Sequence, residues 1–155
     1  MSQIHHLYHQ TRIAKPIDEV FTFFSDAHNL EKITPAQLNF RILTPGPIEM
    51  RKGTLIKYRL SLFMIPFSWL TEISEWDPPH RFADTQLKGP YKQWIHVHSF
   101  KSEGSETVMS DHVQYQLPNL PFSENVHRWF VRNQVEQIFT YREQVIQRIF
   151  SPALI

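Results

Sequence analysis

The spacing of apolar residues changes period twice along this chain. Ile17, Val20, Phe21 and Phe24 fall at i, i+3, i+4 and i+7, one face of a short helix. Pro16 suits its first position, and Asp18 and Glu19 sit where the helix dipole favours negative charge. Before it, Ile4 to Ala14 is rich in β-branched, aromatic and His residues and reads as a strand ending at Lys15-Pro16. After it, a second short helix is expected from about Asn29, a good cap, to Ile33, ended by Thr34-Pro35.

From Leu38 to Tyr115 the period becomes two, and turn residues cut the region into hairpins. The predicted strands are Leu38 to Leu43, Thr54 to Phe63, Phe67 to Trp76, Arg81 to Leu87, Tyr91 to Phe100 and Thr107 to Leu117. Met64-Ile65-Pro66 interrupts the second and third, since Pro belongs at a hairpin or sheet edge. The helical period then returns from Ser123, a suitable N-cap, to about Phe150, with Ser151-Pro152 as the stop. Val131, Val135, Ile138, Phe139, Val145, Ile146 and Ile149 form its apolar stripe. A strand, two short helices, a run of hairpins and one long helix imply an α+β fold. A sheet of six or seven antiparallel strands must curl, and one helix need not fill its concave face, so an internal cavity is expected.

Composition narrows this picture. The 155 residues suit one domain spanning 1–155, with a real core. Twelve Phe, five Tyr and four Trp give enough aromatic surface for a thick core or an apolar pocket wall. The formal charge of +1, with Lys and Arg scattered, argues against a nucleic-acid partner. The absence of Cys excludes disulfides, thiolate metal sites and Cys nucleophiles. No secretory signal and no apolar run of about 20 residues is present, so no membrane span is predicted and the expected location is cytoplasmic. The sequence leaves the oligomeric state open.

Several local runs resemble one superfamily. They are Pro16-Ile17-Asp18-Glu19-Val20-Phe21, Asn29 to Pro35, Trp76-Asp77-Pro78-Pro79-His80-Arg81-Phe82 and Gly89-Pro90-Tyr91. Trp94-Ile95-His96-Val97-His98-Ser99-Phe100 and Ile138-Phe139-Thr140-Tyr141-Arg142 complete the set. Together they resemble the START-like (SRPBCC) superfamily, nearest its bacterial ligand-binding SRPBCC domain proteins. That resemblance implies the helix-grip fold: a curved antiparallel sheet wrapped around a long C-terminal helix, with two short helices after the first strand. It also implies a cavity for an apolar or amphipathic small molecule, and it supplies no common catalytic residue and no cofactor.

Residues two apart on a strand share a face. Trp94, His96, His98 and Phe100 therefore point one way, and on the next strand Met109, Asp111, Val113 and Tyr115 do. A turn near Gly104 brings Asp111 within reach of His96 or His98, and Arg142 falls within the helix stripe. The resemblance places the Trp94 face on the concave side. Trp69 is then expected in the pocket wall and, since Trp76 lies an odd number of positions away, on the opposite face from it. Trp129 and Phe130 could line the mouth.

These residues admit four readings. A mutually satisfied buried polar network is the plainest, because buried charges persist only when paired. A few polar groups orienting a ligand among aromatic walls is the second. His-x-His plus a carboxylate matches part of what a zinc or iron site needs, but no third His is evident and no metal is assigned. The N-terminal His5, His6 and His9 cannot all face one way and are expected at an exposed or edge position. Acid–base catalysis by His96 or His98 in a cyclase or dehydratase is the fourth, with no catalytic residue assigned. The leading expectation is a non-enzymatic protein binding a small hydrophobic or amphipathic molecule through Trp69, Trp94, His96, His98, Asp111, Tyr115, Phe130 and Arg142. A polyketide cyclase-like enzyme and a regulatory or co-chaperone-like interaction module are the alternatives.

Overall fold

The computed structural model describes residues 2–151. In chain order it contains β1 (Ile4–Ile13), α1 (Ile17–Phe24), α2 (Asn29–Lys32), a 3-10 turn (Ala36–Leu38) and β2 (Arg41–Ile42). The hairpin strands β3 (Leu55–Leu62), β4 (Ile65–Asp77), β5 (Arg81–Lys88), β6 (Gln93–Glu103) and β7 (Glu106–Gln116) follow. The C-terminal helix runs on as α3 (Ser123–Val126), a π-helical segment (His127–Val131) and α4 (Arg132–Phe150).

All strands form one antiparallel sheet of seven, in the order β1-β7-β6-β5-β4-β3-β2. Only β1 pairs out of sequence, lying along β7 from Ile4↔Gln116 to Ile13↔Thr107. Its alternation is visible in burial: His5, Leu7, His9, Thr11 and Ile13 face inward, while His6, Tyr8, Gln10 and Arg12 face out. The C-terminal helix lies against the concave face with Val131, Val135, Phe139, Ile146 and Phe150 buried. This is the expected helix grip.

Two groups of buried residues make the core. One gathers Tyr58, Trp69, Tyr91, Tyr115, Val135 and Phe139; the other gathers Ile13, Phe21, Phe82, Phe100 and Ile146. Trp76 packs against both.

Four local expectations differ from the structure. The predicted strand Leu38 to Leu43 is mostly a 3-10 turn closed by Asn39 in the left-handed region (φ 48), leaving a β2 of two residues. The β3–β4 turn lies at Phe63-Met64, both left-handed (φ 52 and 66), and Pro66 sits inside β4 opposite Ser61. A register shift between Ile73 and Glu75 adds a residue to β4 and reverses its alternation, so Trp76 turns inward like Trp69, 5.4 Å from the Phe21 ring. Finally, Phe122 (φ 65) occupies the cap position before Ser123 and makes no side-chain cap bond. Pro152 lies outside the described residues; Ser151 already turns extended (φ −65, ψ 140) at the helix end.

Candidate functional site

Three neighbouring strands deliver the polar cluster. Asp84 on β5 stands opposite His96 on β6, and His98 on β6 stands opposite Asp111 on β7. Inward alternation on each strand then brings all four side chains to one place. His96 Nε2 lies 2.7 Å from Asp111 Oδ1, and His98 Nε2 lies 2.9 Å from Asp84 Oδ2. The same Asp111 oxygen is 3.3 Å from His98 Nδ1, and His96 Nδ1 is 3.9 Å from Asp84 Oδ2. The two rings lie 3.7 Å apart between the core groups, His98 stacked on Phe82 at 4.2 Å and His96 edge-on to Phe139 at 5.5 Å.

Asp111 is 3% exposed in its side chain and Asp84 19%, so the two carboxylates differ in access to solvent. Burial pushes the Asp111 carboxyl up, but hydrogen bonds from His96 and His98 outweigh it and hold Asp111 far below the usual range. Asp84 is balanced in the same way, lowered chiefly by His98. Burial lowers His96 further than its carboxylate partners can restore. For His98 the two carboxylates win over burial, and its pKa is raised.

Beside this cluster lies a cavity of about 160 Å³ between sheet and helix, reached by Asp84, His96 and His98 but not by Asp111. Its walls are aliphatic and aromatic together, the aromatic part including Tyr58, Trp69, Tyr91 and Trp94 from the sheet and Phe139 from the helix. Trp69 meets Trp94 edge-on at 5.5 Å and Tyr58 stacked at 5.6 Å, which fixes the wall. Burial raises Tyr58 and Tyr91 well above the usual phenol range, so both stay protonated.

Arg142 enters the same cavity from α4. Its guanidinium lies 5.0 Å over the Phe139 ring, its Nε is buried without a hydrogen-bond partner, and among the described residues no carboxylate comes within 4.0 Å of it. Burial lowers its pKa, and the more distant charges of Asp111 and Asp84 oppose that. Among the described residues Trp69 Nε1 is likewise buried without a partner.

Of the sequence-predicted residues, Trp69, Trp94, His96, His98 and Arg142 line the cavity and Asp111 stands behind the two His. Tyr115 does not face Arg142; its hydroxyl lies 2.8 Å from His127 Nε2, because β7 carries it past the cavity to the start of the helix. Phe130 is 54% exposed and lines a separate outer groove with Phe63, Met64 and Trp129, because the π segment turns it away from the cavity. The reading missed Asp84, Tyr58 and Tyr91. Asp84 stood two residues beyond inward-facing Phe82, a signal the alternation of β5 carried. His5 and His9, expected at an exposed or edge position, lie on edge strand β1 but are half-buried against the helix, paired with Glu124 and Glu143 at 3.1 Å each.

Among solved structures, the Thermus thermophilus protein TTHA0849 is similar with a TM-score of 0.73 at 16% identity, covering 95% of this chain and 100% of its own. Major latex-like protein 151 from Panax ginseng gives 0.70 at 15% identity, with 96% and 99% covered. Thalictrum norcoclaurine synthase, a point mutant in complex with a transition-state analogue, gives 0.67 at 14% identity, with 97% and 99% covered. At these identities the likeness is one of fold. No curated protein matches the sequence. Among the described residues no helix is long and apolar enough to cross a membrane. The family described as polyketide cyclase/dehydrase and lipid transport matches residues 13–148, from the end of β1 almost to the end of α4, and the chain belongs to that ligand-binding family.

Proposed function

We propose that the chain binds a small amphipathic acid in the internal cavity, its apolar body among Tyr58, Trp69, Tyr91 and Trp94 and its anionic head on Arg142. The observation that carries this reading is the Arg142 guanidinium, which has no hydrogen-bond or ion-pair partner among the described residues in a predominantly apolar wall. A buried cation without a partner is unfavourable, and a ligand carboxylate supplies the missing charge-assisted hydrogen bonds. Size narrows the class. An engineered cavity of about 150 Å³ holds a single benzene ring, so 160 Å³ suits a ring or a short chain rather than a two-chain lipid. His96 and His98 then bound the polar end of the site.

The test has two arms. Mass spectrometry of molecules released from purified protein identifies a resident ligand. Titration of stripped protein with aryl and medium-chain carboxylic acids, each beside its primary amide, then measures affinity by Trp fluorescence and thermal shift. Acids are expected to bind more tightly than their amides, and Arg142→Gln is expected to weaken only the acids. A charged hydrogen bond of about 1.5–3 kcal/mol corresponds to a loss of roughly 10–150-fold. Equal affinity for acid and amide removes Arg142 from the reading; no released molecule and no response to any compound removes the reading itself.

A further inference from the structure

The Asp84–His96–His98 cluster holds a ring nitrogen that its hydrogen bonds do not use. Each imidazole turns one nitrogen toward Asp111 and the other toward Asp84. At 2.7 Å from a carboxylate oxygen, His96 Nε2 must be the N–H, since two acceptors do not share such a contact. In the neutral ring, that leaves His96 Nδ1 as a bare lone pair, whereas His98 Nε2, 2.9 Å from Asp84 Oδ2, is by the same rule an N–H whose proton an incoming ion must displace. Among the described residues Nδ1 has no hydrogen-bond partner, only Asp84 Oδ2 at 3.9 Å.

We propose that Asp84, His96 and His98 bind one divalent transition-metal ion, zinc or ferrous iron, through His96 Nδ1, His98 Nε2 and an Asp84 oxygen, with Asp111 orienting the rings from behind. The three residues each offer a ligand atom, all within 4.8 Å of one another. Donors about 2.0–2.2 Å from an ion and about 90–110° apart stand roughly 3.0–3.4 Å from each other. The contacts of 2.9 Å and 3.9 Å from Asp84 Oδ2 bracket that range, and the third separation, between the two His, lies within 4.8 Å. Two imidazoles and one carboxylate are the ligand types of mononuclear iron sites, and zinc accepts the same donors.

The surroundings support the assignment. A ligating His ordinarily gives its other N–H to a carboxylate, which fixes the tautomer and raises basicity. Asp111 occupies that position for His96 and stands 3.3 Å from His98 Nδ1. The third ligand absent from the His-x-His pattern is thus a carboxylate on the neighbouring strand. All three proposed ligands line the cavity, so the ion's remaining positions open onto the same space as Arg142. With neutral His, two carboxylates and Arg142 sum to a formal charge of −1. A divalent ion brings the site to +1, which one anionic ligand or a hydroxide balances. The protein's other His cluster lacks these properties. In the group of His5, Glu124 and His127, the His127 Nε2 is already held by the Tyr115 hydroxyl at 2.8 Å.

The inference stands independently of the organic ligand, because the metal alone tests it. Chelator-stripped full-length protein, free of organic ligand, is titrated with Zn²⁺ by calorimetry and with Co²⁺ by its visible ligand-field bands. One ion per chain is expected, with a Kd of roughly 10 μM or tighter and a matching rise in Tm, since a ligand selective for the folded state stabilises it. His96→Gln and Asp84→Asn, checked for folding by circular dichroism, are expected to lose at least about 100-fold, and Asp111→Asn roughly 10–100-fold as an outer-shell partner. His127→Gln is expected to bind like the parent. The parent's own titration decides the case even where a variant fails to fold. Absence of a 1:1 complex below about 100 μM overturns the assignment, as does binding that survives His96→Gln or vanishes in His127→Gln.

Discussion

At the scale of single residues, Asp111 carries the most consequence for stability. It is nearly inaccessible and its one oxygen serves two buried imidazoles. Removing one partner from a buried ionic group leaves the other without compensation, at a cost of about 3–5 kcal/mol. Asp111→Ala is therefore expected to lose that much in urea unfolding. Asp84→Ala is expected to lose less, about 1–3 kcal/mol, the ordinary cost of an unmade buried hydrogen bond, because its side chain is 19% exposed and water can reach His98. Equal losses would mean that burial does not set the difference. The residues of this site were only partly legible in the sequence. His96, His98 and Asp111 announce themselves by two-residue spacing across one hairpin. The alternation of β5 gives the inward face of Asp84 but not its partner, because its contact with His98 depends on the register of a second hairpin, and register is set by pairing rather than by local pattern.

At the scale of elements, the strands whose inward residues alternate without interruption, β3, β6 and β7, were readable almost to their ends. Reading failed where the backbone left the period. The extra residue near Ser74 turns Trp76 inward against simple parity, and left-handed Asn39 replaces most of a predicted strand by a turn. The β3–β4 hairpin shows the same limit. Two-residue hairpin turns favour left-handed conformations and hence Asn-Gly, yet here Phe63 and Met64 adopt them. A left-handed residue with a Cβ costs roughly 1–2 kcal/mol. Met64 is 96% exposed and has little packing to offset that. Met64→Gly is thus expected to stabilise, reduced by glycine's greater freedom when unfolded, by about 0.5–1 kcal/mol net. In a chain of this size that is a rise in Tm of roughly 2–3 °C by calorimetry. Phe63→Gly should gain less, since the Phe63 ring also packs edge-on against Phe130 at 6.3 Å. An unchanged or lower Tm for Met64→Gly would show that the turn is not strained.

At the scale of the whole molecule, the grip closes along a seam between edge strand β1 and the C-terminal helix. Glu124 accepts from the Gln3 backbone at 2.7 Å and pairs with His5, His9 pairs with Glu143, and Gln147 Nε2 donates to the Arg12 carbonyl at 2.8 Å. His127 sits at this seam, stacked on His5 of β1, bonded to Tyr115 of β7 and faced by Glu124 of α3 and Arg132 of α4. Burial lowers the His127 pKa, the charge on His5 lowers it further, Glu124 opposes and Arg132 adds a little. Tyr115, pushed up by burial to about 12, remains protonated beside it. Between the ordinary His value of about 6.5 and its lowered folded value, the unfolded chain holds a proton on this ring that the folded chain does not. The stability contributed by neutral His127 is therefore complete above about pH 6.5 and is lost as the pH falls toward the folded value. Other groups titrate in the same range, so the measurement is a difference: the unfolding free energy of the parent minus that of His127→Gln, by urea at pH 7.5, 6.5 and 5.5. Gln keeps a hydrogen bond to Tyr115 but cannot take up a proton, so the parent's advantage is expected to shrink steadily toward pH 5.5. A difference that stays flat or grows would place no proton-linked stability at His127.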